Sequence, residues 1–230
     1  LPADAALAPA RPAARSTVVY LVDKPNAAQS EIRIGHAGAA RTADPDYYAL
    51  QLLNTALGGQ FTSRINLNLR ERHGYTYGAR SAWAFRRGDG PFVASGGVFT
   101  AKTDSSLVEF LRELKDIRGS RPLSAEETDF SRNALLRGYP RRFETPDATA
   151  GVLADLALYG LPDSEIGNYL AQIARVKPED VTRVASRYLS PEHLAIVVVG
   201  DLAKIRAGIE ALNLGPVTVL DADGKPVAAQ

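Results

Sequence analysis

The apolar positions near the start of the chain follow the pattern of extended backbone. TVVYLVD (17–23) is a β-branched run. After a turn at Pro25-Asn26, SEIRIGHAG (30–38) alternates Ile32 and Ile34 with charged neighbours, as a half-buried strand does. The period then lengthens. Asp44-Pro45 has the chemistry of a helix start, an N-cap acid followed by proline at the first helical position. Ala49, Leu52, Leu53 and Ala56 form the apolar stripe of that helix, and Gly58-Gly59 ends it. A second helix is predicted over about 61–72 with Phe61, Ile65 and Leu69 on one face, stopped by Gly74. Tyr75–Phe85 returns to a period of two, 87–91 (RGDGP) is a turn, and Phe92–Phe99 is the hairpin partner.

From Lys102 onward the pattern is helical again, with Leu107, Phe110, Leu111 and Leu114 as one stripe. Ser124 and Glu127 form a capping box for the next helix. Further helices are expected near 146–158, 163–175 and 178–189, the last burying Val181, Val184, Ala185 and Tyr188. LAIVVVG (194–200) reads as a short strand buried on both faces. Asp201 can cap a helix to about Leu212, and PVTVLD is a weak final strand. The order is β-β-α-α-β-β-α-α-α-α-α-β-α-β. Strands in hairpins and helices in runs predict an α+β fold, with a mixed, largely antiparallel sheet covered by several helices, and exclude a doubly wound arrangement. Residues 17–221 form the expected domain, 1–16 (Ala/Pro-rich) a linker from an upstream domain, and 222–230 a polar C-terminal tail.

With 230 residues, 45% of them apolar, the chain has enough material for one large core or two small ones. It has no cysteine, which removes disulfides, thiolate metal sites and cysteine nucleophiles and leaves the compartment open. A net charge of +1 points to no polyanionic partner. No apolar run is long enough to span a membrane, and no signal peptide is recognisable at the start.

Few residues can carry chemistry. His36, His73 and His193 are the only histidines, and none stands in an H-x-x-E-H or H-E-x-x-H pattern, so no metal ligand set is expected in this segment. Gly58-Gly59 reads as a hinge between helices rather than an anion site. Residues 64–87 hold six arginines (64, 70, 72, 80, 86 and 87) against one acid, Glu71. That patch is a solvated face or, alternatively, a surface for RNA or another anion. The informative stretch is NLRERHGYTYGA (68–79). Arg70 falls late in a helix and Tyr77 early in a strand, and Gly74 lets the chain reverse so that the two converge. Asn66 shares a helical face with Arg70. A guanidinium can donate to peptide carbonyls and a phenol to a developing oxyanion. Strict alternation allows a different arrangement. It puts Tyr75, Tyr77, Ala79, Ser81, Trp83 and Phe85 on one aromatic core face, with Arg70 merely solvated.

LNTALGGQFTSRINLNLRERHGYTYGARS resembles the most distinctive segment of the second-half domains of pitrilysin/insulinase-type zinc peptidases, the group that includes mitochondrial processing peptidase. The RRGDGPF hairpin, TPDATAGVLADLALYGLP and YLSPEHLAIVVVGD agree with it in order, so the resemblance spans about 17–221. It implies a half-domain that pairs with a homologous zinc-binding half, either upstream in the same chain or as a separate subunit. It places the zinc, and the H-x-x-E-H motif, in that complementary half. It also implies an arginine and a tyrosine seven residues apart that face the metal across a cleft, and these match Arg70 and Tyr77. Arg70 would hold the substrate backbone and Tyr77 the oxyanion or substrate carbonyl, with Asn66 and Tyr75 as further substrate contacts. Tyr75 competes with Tyr77 for the role because both lie in the GYTY run. The expected activity is proteolysis by the complete enzyme, with no activity and no metal in this segment alone. An inactive scaffold or partner subunit of the same fold is the alternative reading.

Overall fold

A computed structural model describes residues 16–42 and 46–227. The elements run β1 (Val18–Asp23), β2 (Gln29–Ala37), α1 (Asp46–Asn54), α2 (Arg64–Asn66), β3 (Thr76–Trp83), β4 (Pro91–Phe99), α3 (Thr103–Asp116), α4 (Ala125–Gly138), α5 (Pro146–Tyr159), α6 (Ser164–Arg175), α7 (Pro178–Tyr188), β5 (Ala195–Gly200), α8 (Leu202–Ala211) and β6 (Val217–Leu220). This is the α+β order read from the periodicity. The helix start expected at Asp44-Pro45 and the linker over 1–15 lie outside the described residues.

Among the described residues the strands form one sheet in the order β3-β4-β2-β5-β1-β6. The β3–β4, β4–β2 and β2–β5 pairings are antiparallel, while β1 pairs in parallel with β5 and β6. Leu21, Ile32, Ile34, Phe92, Ile196 and Val198 project to one face and are fully buried there. They meet α1, α3, α7 and α8 through Leu50, Leu53, Phe110, Val184 and Ile209. The other face is left half-exposed at Tyr20, Val22, Val197 and Val199. The expectation that β5 is buried on both faces is therefore corrected. Its apolar run packs against helices on one side, and its other side belongs to the open face of the sheet.

Several expected signals operate locally. Ser124 and Glu127 make the reciprocal capping box of α4, and Thr145 caps α5 ahead of Pro146. Asp201 stands at the start of α8 but does not cap it with its side chain. Its carboxylate accepts from Asn26 N–H at 3.2 Å and pairs with Lys204 at 2.8 Å. The polar end is tied down in part: residues 221–227 turn back, and Val227 N–H donates to Val219 O at 2.9 Å. Asp46, only 2% exposed, accepts from Arg183 at 2.6 Å, Arg187 at 3.0 Å and Tyr188 at 2.9 Å, which pins α1 to α7. A buried carboxylate is tolerable here because it is fully supplied with donors.

Candidate substrate-facing site

Two departures from regular geometry build the site. The first is in the helices. Beyond Asn54 the α1 helix widens into a π-turn over Thr55–Gly59, and α2 does the same over Leu67–Arg72, where His73 N–H reaches back five residues to Asn68 O at 3.1 Å. Such wide turns are rare and concentrate at functional sites. The first packs edge-on against β3. A Cβ at Gly58 would lie 2.3 Å from the Ser81 backbone nitrogen, so only glycine permits the approach. Gly58-Gly59 is thus a close-contact point rather than a hinge. Gly74, at φ +64°, then turns the chain into the strand, as its position suggested.

The second departure is a β-bulge in β3. Thr76 pairs with Val98 and Ala79 with Gly96, so Tyr77 and Gly78 together face Gly97. The Thr76 hydroxyl holds the bulge, accepting from Gly78 N–H at 3.0 Å and donating to Gly97 O at 2.6 Å. Ala79, Ser81 and Trp83 go inward as the alternation requires, but Tyr77 is thrown outward and is 77% exposed. Its ring meets only Phe99 among the described aromatic residues, edge-on at 5.7 Å.

Tyr77 forms one wall of a cavity of about 420 Å³ on the open face of the sheet, with Phe61, Asn66, Arg80 and Glu31 around it and Gly78, Gly96 and Gly97 beneath. Asn66 is 3% exposed, and its amide is committed to the fold. Nδ2 donates to Phe61 O at 2.7 Å, and Oδ1 accepts from Ala79 N–H at 3.0 Å, which locks the loop before α2 to the bulged strand. Phe61 was expected on the buried face with Ile65 and Leu69, but it precedes α2 and is 61% exposed. Its ring lies under the Arg70 guanidinium at 4.4 Å. Arg70, also 3.5 Å from Glu71, therefore approaches the cavity across the Phe61 wall. Tyr75 stands apart. It precedes β3, stacks on His73 at 4.9 Å, lies under Lys102 at 5.7 Å and does not line the cavity. Gly78 was the legible sign of the bulge, since glycine inside an alternating strand often marks one. Nothing in the sequence marked Phe61 as exposed.

The arginines of 64–87 do not make a single surface. Arg64 is buried, bidentate to Glu127 at 2.7 Å and donating to the Arg121 and Pro122 carbonyls. Its guanidinium, with the Ser124 amide, holds the Glu127 carboxyl well below its ordinary 4.5, at about 2. A depressed carboxylate pKa stabilises the fold above the ordinary value, and that contribution is lost as pH falls from about 4.5 toward 2. Glu127→Gln is accordingly expected to flatten the acid limb. Between pH 6 and pH 3 wild type loses more stability than the variant, by on the order of 1 kcal/mol after screening of a side chain 40% exposed. Urea unfolding at both pH values checks this, and equal losses would contradict it.

Among the described residues no cluster of His, Asp and Glu side chains is placed to hold a metal ion. His36 stacks on Phe92 at 5.2 Å, and its Nδ1 is 2.7 Å from Ala37 O; burial lowers its pKa. His73 is stacked on Tyr75 and lies 3.8 Å from the Glu109 carboxylate. The zinc implied by the family resemblance has no fitting ligand set among them. No helix of the described residues is long and apolar enough to cross a membrane.

A helix-backed mixed sheet with one open face frames the site, with Tyr77 in the cavity wall and Arg70 seated on the Phe61 ring. The chain belongs to the family of the peptidase M16 inactive domain, whose model matches residues 2–135. It is 29% identical over 179 residues to an uncharacterized zinc protease of Streptomyces coelicolor, covering 76% of this chain and 37% of that protein. The chain thus spans little more than a third of that relative. The fold matches the peptidase M16 inactive domain from Pseudomonas fluorescens (TM-score 0.74, 24% identity, 83% of this chain and 45% of the other). It also matches a protease from Helicobacter pylori (TM-score 0.74, 19% identity, 82% and 45%).

Proposed function

We propose that this chain is the metal-free half of a zinc-dependent peptidase. On this reading it presents Tyr77 and Arg70 to a peptide bound against a complementary, metal-bearing half. The observation that carries the proposal is the bulge at Tyr77–Gly78, which turns a phenol out of the buried row of Ala79, Ser81 and Trp83 into a cavity. A core tyrosine needs no such device. As the scissile carbonyl becomes tetrahedral, its oxygen gains charge, and on this reading the Tyr77 O–H donates to it. Arg70 can donate to a substrate backbone carbonyl while its guanidinium stays seated on the Phe61 ring. Asn66 acts as a positioning residue, because its two hydrogen bonds fix the strand that bears Tyr77. The metal chemistry belongs to the complementary half, and the residues of this chain bind and orient.

Arg70 is assigned to ground-state binding. Arg70→Ala in the full-length protein is expected to raise KM about tenfold, with a smaller change in kcat. Steady-state kinetics on a peptide substrate test it; an unchanged KM and kcat would remove Arg70 from the site.

A further inference from the structure

We infer that the cavity beside Tyr77 selects a carboxylate on the substrate, with Arg80 as the specificity-determining residue. The inference rests on the proposed substrate-facing role of Tyr77. Two lining residues carry charge, Glu31 and Arg80. The Glu31 carboxylate is already paired with Arg33 at 3.2 Å. The Arg80 guanidinium has no hydrogen bond or ion pair with any described residue. Arg70 stands across the Phe61 ring with Glu71 beside it. The unneutralised charge in the cavity is therefore positive.

Its placement is defined by the sheet. Arg80 pairs with Ser95 of β4, which pairs with Arg33 of β2, so this row crosses the open face. The backbone of Gly78, Gly96 and Gly97 beneath offers no side chain to fill the space or mask the guanidinium. A volume of about 420 Å³ admits a side chain of any size. Arg80 lies three residues beyond Tyr77, but the bulge absorbs one of them, so the two stand as far apart as Gly97 and Ser95 on the partner strand, roughly 7 Å at about 3.3 Å per residue. A substrate running extended beside β3, with its scissile carbonyl at Tyr77, would place there a group two or three residues from the cleaved bond. A planar, permanently charged guanidinium with free donors suits a carboxylate held by two parallel hydrogen bonds. That carboxylate is either an Asp or Glu side chain or the free C-terminus of a short peptide.

The test uses the full-length protein and a set of peptides identical except for Glu or Gln at the second or third residue on either side of the cleaved bond. A parallel pair ends at those positions as the free acid or the amide. At low salt, where an exposed charge is least screened, wild type should prefer one carboxylate peptide about tenfold in kcat/KM. A preference confined to the acid over the amide assigns the chain terminus, and one confined to Glu over Gln assigns a side chain. Arg80→Gln should reduce the preference to less than about twofold while leaving the neutral peptides unchanged. Equal use of charged and neutral peptides by wild type, or a preference that survives in Arg80→Gln, overturns the assignment. Calorimetric binding of the same peptides separates this outcome from failure of the peptidase reading. An Arg80-dependent difference in Kd without hydrolysis sustains the subsite and rejects the catalytic role of Tyr77, whereas no such difference rejects the subsite.

Discussion

Tyr77→Phe in the full-length protein is expected to lower kcat by about 100- to 1,000-fold with little change in KM, the cost typical of losing one oxyanion donor. Phenylalanine keeps the ring, its edge-on contact with Phe99 and the shape of the cavity wall. Only the hydroxyl goes, and at 77% exposure it contributes no buried hydrogen bond to the fold. Thermal stability should therefore match wild type, and any loss of turnover reports on the reaction. A large rise in KM instead would move Tyr77 from transition-state stabilisation to ground-state binding.

The largest expected effect on stability is at Gly58. A Cβ there would meet the Ser81 nitrogen at 2.3 Å and the Ser81 hydroxyl oxygen at 2.5 Å, and a backbone atom cannot swing aside as a side chain can. Relief requires the π-turn to back away from β3, and with it goes the packing of Leu57 and Ala56. Gly58→Ala should cost about 3 kcal/mol, at the upper end of overpacking penalties and a large share of ordinary domain stability. Chemical denaturation reads it directly. A midpoint equal to wild type would mean that the turn does not abut the strand. The variant should also lose turnover, since β3 carries Tyr77.

The sequence was most legible where the signal was local. Ser124 and Glu127 fulfil their capping box because both partners lie within one turn. Gly74 takes the positive φ that its place between helix and strand demanded. Two features depended on distant contacts and could not be read the same way. The π-turns at 55–59 and 67–72 arise where helices must fit against the edge of β3, and no short-range pattern encodes that fit. Among the described residues no layer covers the open face of β5, whereas an apolar run such as AIVVVG looks alike whether one face or both are covered. At the site itself, strict alternation would have put Tyr77 among the core aromatics with Trp83. The single extra residue at the bulge reverses that, and only Gly78 hinted at it. The Arg70–Tyr77 spacing was visible from the family resemblance, whereas the exposure of Phe61 and an Arg80 guanidinium with no partner among the described residues emerge from the packing.

Metal content and kcat, measured on the same preparations of full-length wild type and Tyr77→Phe, test most directly whether this half serves a metal held elsewhere. The account predicts equal zinc per protein molecule in the two, with the variant's kcat reduced about 100-fold or more. Equal zinc with equal kcat, or loss of zinc along with the hydroxyl, would contradict it.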